Sequence, residues 1–171
     1  MSEQLELELE LEPEQEVWIK KIPIINSKGI DQEANILKEI KLQQIASKYG
    51  FTPKILGVTK NSSEYMIRME KINTRCLAES WGDEPSHIPD KFWDQIRCIV
   101  KLLFLREGIE YVDITPYNFL EKKDKIYLID FGHAYFTPDE SKITPTNWFL
   151  KKFIGCECNP DELNGYNPDF E

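Results

Sequence analysis

Asp113-Ile114-Thr115-Pro116-Tyr117-Asn118, followed twelve positions after its asparagine by Asp130-Phe131-Gly132, is the stretch on which the fold is decided. Residues 117–120 and 125–129 are short apolar segments around Lys122-Lys123-Asp124, and they read as two strands joined by a turn. A strand pair between the two polar groups makes their spacing far more informative than either string alone. Asp113 and Asn118 flank Pro116, where a turn is their commonest role. Asp130 is harder to explain blandly, because an acid directly after Ile126-Tyr127-Leu128-Ile129 has no packing reason to be there.

Working outward, Asp90 is a candidate cap for a long helix whose face carries Phe92, Trp93, Ile96, Val100 and Leu103, and which ends at Gly108. Residues 74–89 show no period and hold Gly82, Pro85 and Pro89, so they read as a connecting segment. Residues 54–59 and 65–70 form a hairpin pattern around Lys60-Asn61-Ser62-Ser63. Residues 31–48 carry Ile36, Leu37, Ile40 and Ile45 at helical spacing, with Asp31 as candidate N-cap and Gly50 past the end. Residues 17–22 read as a strand. A final helix is expected over 148–154, followed by an irregular tail. The order is strand, helix, two strands, long helix, loop-rich hairpin.

The chain has 171 residues, 41% of them apolar and 12% aromatic, enough for one core and too much for a disordered chain. Its formal charge of −9 is uneven, since residues 1–16 hold seven Glu and no Lys or Arg. Leu5, Leu7, Leu9 and Leu11 alternate there with glutamates, which fits an edge strand or a solvated acidic leader. The rest is nearly balanced, with 23 acids against 21 bases, so a groove for duplex nucleic acid is disfavoured. No run approaches 18 apolar residues and the N-terminus has no basic-then-apolar leader, so no membrane span or secretory signal is expected and the expected location is cytoplasmic. Reduced, structural thiols are therefore expected at Cys76, Cys98, Cys156 and Cys158. Cys156-x-Cys158 is a weaker zinc candidate, because only His87 and His133 could add imidazole ligands.

Four motifs resemble those of the protein-kinase superfamily. Val17-Trp18-Ile19-Lys20 is similar to the V-A-I-K strand, and Glu39 lies 19 positions on, in the next helix. Asp113 through Asn118 matches D-x-x-x-x-N, and Asp130-Phe131-Gly132 matches D-F-G. The resemblance covers residues 17–136 and implies an α+β, protein-kinase-like fold in reduced form, with a small β-rich N-lobe and a truncated helical C-lobe. Its segments would be the leader (1–16), an N-lobe part (17–73), a connection (74–89), a C-lobe part (90–157) and a tail (158–171).

The resemblance also implies chemistry. Lys20 would neutralise the α- and β-phosphates of ATP, and Glu39 would hold its ammonium. Asn118 and Asp130 would bind Mg²⁺, a hard cation that takes oxygen ligands and bridges phosphates. Asp113 would accept or orient the proton of an acceptor hydroxyl, on a protein Ser/Thr or on a small molecule. Several features depart from the pattern. No glycine precedes Gly29, so the phosphate-covering Gly-rich loop is absent or replaced. H-R-D reads Tyr111-Val112-Asp113, without the histidine that braces the loop. Thr115 stands where serine/threonine kinases have lysine, as in the small atypical kinases of tRNA threonylcarbamoylation. No A-P-E follows, and only 39 residues remain after Gly132. These departures keep two further readings open. One is a catalytically inactive pseudokinase acting as a protein-binding module; the other is an unrelated α+β protein with accidental motifs. A protein partner could cover the reduced C-lobe, with Trp148, Phe149 and Phe153 as candidate contacts.

Overall fold

Period-2 alternation puts Tyr65, Ile67 and Met69 on one face of β3 (Glu64–Glu70), and that face is buried. The computed structural model describes residues 16–137. β3 is the middle strand of a three-stranded antiparallel sheet, flanked by β1 (Val17–Pro23) and β2 (Ile55–Lys60). The β2–β3 turn closes on the Asn61 carboxamide oxygen, which accepts from Ser63 N at 2.8 Å and Glu64 N at 2.9 Å. Helix α1 (Glu33–Ala46) lays Ile36 and Ile40 against the buried face of β3, completing an upper core. Asp31 works as expected at its start, but from one residue further out. Gln32 immediately precedes the helix, and the Asp31 carboxylate accepts from Glu33 N at 2.8 Å.

The C-terminal part of α1 belongs to a different core. Leu42, Ala46 and Phe51 pack with the apolar face of α3 (Asp90–Glu107), which also carries Phe92, Ile96, Val100 and Leu103. Gly50, at φ 77°, reverses the chain into Phe51. There the Phe51 carbonyl accepts from Leu128 N at 2.7 Å, and the Thr52 hydroxyl donates to the Leu128 carbonyl at 2.5 Å. The sheet half and the helical half are thus joined through backbone as well as packing.

Helix α3 ends at Gly108, φ 63°, as the sequence suggests. Asp90 is its first residue and makes no capping hydrogen bond from its side chain; the residue before it is Pro89. The 74–89 segment is more ordered than its lack of period implied. It contains α2 (Leu77–Trp81), whose Glu79 carboxylate accepts from Cys76 N at 3.1 Å, and a single 3₁₀ turn at Pro85–His87. Five helical residues are too few to show a repeat.

Beyond α3 come β4 (Ile109–Glu110), β5 (Phe119–Lys122), β6 (Lys125–Leu128) and β7 (Tyr135–Phe136), with β4 pairing β7 and β5 pairing β6. The β5–β6 turn has Lys123 and Asp124 at φ 51° and 64°, the left-handed pair that a two-residue hairpin requires. The first expected strand, 117–120, loses its first two residues to a 3₁₀ turn over Pro116–Asn118, so β5 starts two positions later. Proline at the start of that turn favours it.

Cys76 is a free thiol. The expected leader strand, the 148–154 helix, the tail and the Cys156-x-Cys158 motif lie outside the described residues. Among the described residues, no helix is long and apolar enough to cross a membrane.

Phe51 is 1% exposed at the junction of the halves, so Phe51→Ala should cost about 3–5 kcal/mol in urea unfolding of the full chain. Val58→Thr on the open face, where Val58 is 38% exposed, should change stability by no more than about 0.5 kcal/mol. Equal effects would show that Phe51 does not tie the halves together.

Candidate active site

Alternation along β1 places Trp18 and Lys20 on the same face of the strand. Lys20 Nζ lies 2.5 Å from Glu39 Oε1 and 3.2 Å from Asp130 Oδ1. Glu39 is a buried carboxylate on α1, a placement that is unfavourable unless the charge is paired. Burial pushes the Lys20 ammonium down, but the Glu39 and Asp130 carboxylates outweigh it and raise its pKa above the ordinary value. Burial pushes the Asp130 carboxyl up, and the Lys20 charge together with the Gly132 N–H outweighs that, so its pKa ends below the ordinary range.

Asp130 sits at φ 61°, in the left-handed region, where aspartate is more at home than most residues. Gly132 N donates to its Oδ1 at 3.1 Å, fixing the turn. A Cβ at position 132 would stand 3.2 Å from Asp130 Oδ1 and 3.7 Å from Glu39 Oε2. A side chain at 132 would thus crowd the Asp130 carboxylate by a few tenths of an ångström, while Glu39 would stay at ordinary contact distance.

The 3₁₀ turn Pro116–Asn118 aims Asn118 back at Asp113. Its Nδ2 donates to the Asp113 carbonyl at 3.0 Å and to Asp113 Oδ2 at 2.9 Å. The Asn118 carbonyl accepts from Ile129 N at 3.0 Å, linking this loop to the residue before Asp130. His133 Nδ1 lies 3.2 Å from Asp113 Oδ2 and donates to it when that nitrogen carries the proton. Both contacts fall on Oδ2; Oδ1 has no partner among the described residues.

Tyr111 stands where the family's bracing histidine is missing, and this fully buried residue donates its hydroxyl to the Ile129 carbonyl at 2.7 Å. Its ring meets Phe131 edge-on at 5.4 Å and tilts against Phe119 at 6.2 Å. Burial, then the charges of Asp130 and Asp113, push its phenol pKa well above the ordinary value, so it remains a donor. Neither this brace nor the His133 contact has a local sequence signal, since both partners lie across the hairpin.

Lys20, Asn118 and Asp130 border one small cavity, with Trp18, Met69 and Ile129. Trp18 and Ile129 also border a larger neighbouring cavity of about 220 Å³, with Pro53, Ile72 and Leu120. Asn118 and Asp130 together offer oxygen donors of the kind a hard divalent cation takes, in a number that leaves positions for water and phosphate oxygens. Among the described residues, no cluster of three or more His, Cys, Asp or Glu could hold a metal by itself.

Solved structures share this architecture. The bifunctional kinase-methyltransferase WbdD superposes with a TM-score of 0.61 at 23% identity, over 82% of this chain and 32% of that chain. WbdD co-crystallised with the kinase inhibitor LY294002 gives 0.59 at 20% identity, covering 82% and 33%. A further WbdD structure gives 0.60 at 21% identity, covering 82% and 32%. The fold is thus protein-kinase-like, and this chain spans about a third of the length of those chains. No family model and no curated protein matches the chain.

Asp130 has a lowered folded-state pKa, so its contribution to stability is full above the unfolded-state value of about 3.9 and is lost as pH falls through the lower folded value. The unmutated chain should therefore lose stability relative to Asp130→Asn as pH falls below about 5, through the unfolded-state value and on toward the lower folded one, followed by urea midpoints; a pH-independent difference would refute the coupling. Tyr111→Phe should cost about 1–3 kcal/mol, because it leaves the Ile129 carbonyl without its donor. A loss below about 0.5 kcal/mol would show that the hydroxyl is no brace.

Proposed function

We propose that this chain is an ATP- and Mg²⁺-dependent phosphotransferase, with a hydroxyl as acceptor and protein Ser/Thr as the acceptor class. The observation that supports it is the Lys20 ammonium between Glu39 and Asp130, bordering the same cavity as Asn118, which in turn holds Asp113. WbdD, which shares the fold, is a kinase-methyltransferase and has been co-crystallised with a kinase inhibitor.

Phosphoryl transfer asks a protein for positioning and charge compensation more than for covalent chemistry. Lys20 binds phosphate oxygens, and Glu39 keeps the ammonium charged and aimed. Asn118 and Asp130 would hold Mg²⁺, which when bound neutralises phosphate charge. Asp113 receives the acceptor proton at Oδ1, the oxygen left over once Asn118 and His133 have engaged Oδ2. These contacts set the direction of the free oxygen before any acceptor arrives.

The pseudokinase reading draws on the departures of the motifs from the kinase pattern, among them Tyr111-Val112-Asp113 without the histidine. Nucleotide-dependent thermal stabilisation and ATP turnover separate the two. Asp130→Asn should abolish most Mg²⁺-dependent nucleotide binding, since the charge that holds the metal is gone. Asp113→Asn should leave binding nearly intact and lower turnover by ~10²–10⁴-fold. An unmutated chain with neither stabilisation nor transfer to any offered hydroxyl would establish the pseudokinase instead.

A further inference from the structure

We propose that the lysine tip of the β5–β6 hairpin is a docking surface for this chain's own acidic segment, residues 3–14, which then lies across the mouth of the larger cavity. The surface is built on β5. Lys122 stands two positions past Leu120 and so on the same strand face, and Leu120 borders that cavity. Lys125 is directly opposite Lys122 across the hairpin, and Lys123 lies in the turn between them. Like charges directly opposite are unfavourable in a strand pair, and an anion from outside the hairpin relieves them. The hairpin's own acids are engaged elsewhere. Asp124 reaches Lys91 at 2.5 Å, and the Glu121 carboxylate accepts from Asp124 N at 2.9 Å. Lys122 and Lys123 are exposed and form no ion pair among the described residues.

The chain carries a matching anion, and its point of attachment delivers it to this spot. Residues 1–16 hold seven Glu and no Lys or Arg, and all but Glu16 lie ahead of the described residues. Glu16 is pinned at the rim of the cavity. Its carboxylate meets Lys71 Nζ at 3.0 Å and Asn73 Nδ2 at 2.6 Å, and its carbonyl accepts from Lys71 N at 2.9 Å. Lys71 borders the cavity on one side and Leu120 on the other. One residue past Asn73, the Thr74 hydroxyl donates to the Glu121 carbonyl, next to Lys122. A few residue widths thus separate Glu16 from Lys122, whereas twelve extended residues reach about 40 Å. Extended, Leu5, Leu7, Leu9 and Leu11 share one side and the intervening glutamates the other. The leucine side suits the apolar border at Ile72 and Leu120, and long lysine stems at the rim can reach the carboxylate side.

The test uses the full chain and no nucleotide, so its result stands apart from the phosphotransferase reading. Zero-length carbodiimide coupling at low salt, with peptide mapping, should join glutamates of residues 3–14 to Lys122 or Lys123. In a mixture of light and nitrogen-15-labelled chains, those links should stay within one isotope. Most should vanish toward about 1 M salt, where screening shortens to about 3 Å. A glutamate-specific protease should cut residues 3–14 about 5- to 30-fold more slowly than a free peptide of residues 1–16, the range of a few weak ion pairs acting together. Lys122→Gln/Lys123→Gln should restore the free peptide's rate with an unchanged urea midpoint. Links that cross isotopes would put a second copy on the tip and overturn the assignment. Links that are absent, or undiminished by salt, would overturn it too, as would cleavage that stays slow in the folded double variant. If that variant loses its fold, the isotope-resolved links decide alone.

Discussion

A single ammonium organises this molecule. Lys20 comes from the sheet, Glu39 from the helix beside it, and Asp130 from the loop after the hairpin, and the three meet within 3.2 Å. Desolvating a carboxylate such as Glu39 is unfavourable unless a counter-charge is held nearby, and a flexible lysine loses entropy when it is held. The surrounding structure meets both demands. Phe51 and Thr52 tie the end of α1 to Leu128, so the helix bearing Glu39 and the strand leading to Asp130 move as one unit. Gly132 leaves the Asp130 carboxylate uncrowded.

The second support runs under the hairpin. Tyr111 reaches the Ile129 carbonyl through a phenol where the resembled family uses an imidazole, and its ring adds contacts to Phe119 and Phe131. The Asn118 carbonyl takes the N–H of the same Ile129, so both backbone groups of the residue before Asp130 are engaged. The left-handed backbone of Asp130 is thereby imposed from both sides of the chain.

This arrangement bears on how a reduced kinase-like fold could work. The groups that would meet phosphate, metal and acceptor sit on three rigid attachments: the sheet, the packed helix and the braced hairpin. Beside them lies an apolar slot bordered by Trp18, Leu120 and Ile129. Rigid positioning favours chemistry once a ligand is seated.

Element order was legible in the sequence because it rests on local rules, namely alternation, helical period and turn residues, whereas Lys20, Glu39 and the Asp113–Asn118–Asp130 series stood out through the resemblance of their motifs to the protein-kinase set. The boundaries that were misread failed for equally local reasons, as in the short helix Leu77–Trp81 and the 3₁₀ turn Pro116–Asn118. What only the tertiary structure decided are contacts between residues far apart in the chain, whose distances no periodicity encodes. Tyr111 became a brace, His133 a neighbour of Asp113, and Trp18 the border of two cavities because folding brought β1, α1 and the hairpin to one place. The sequence names the residue types that phosphate chemistry needs; packing of the two cores sets where each one points.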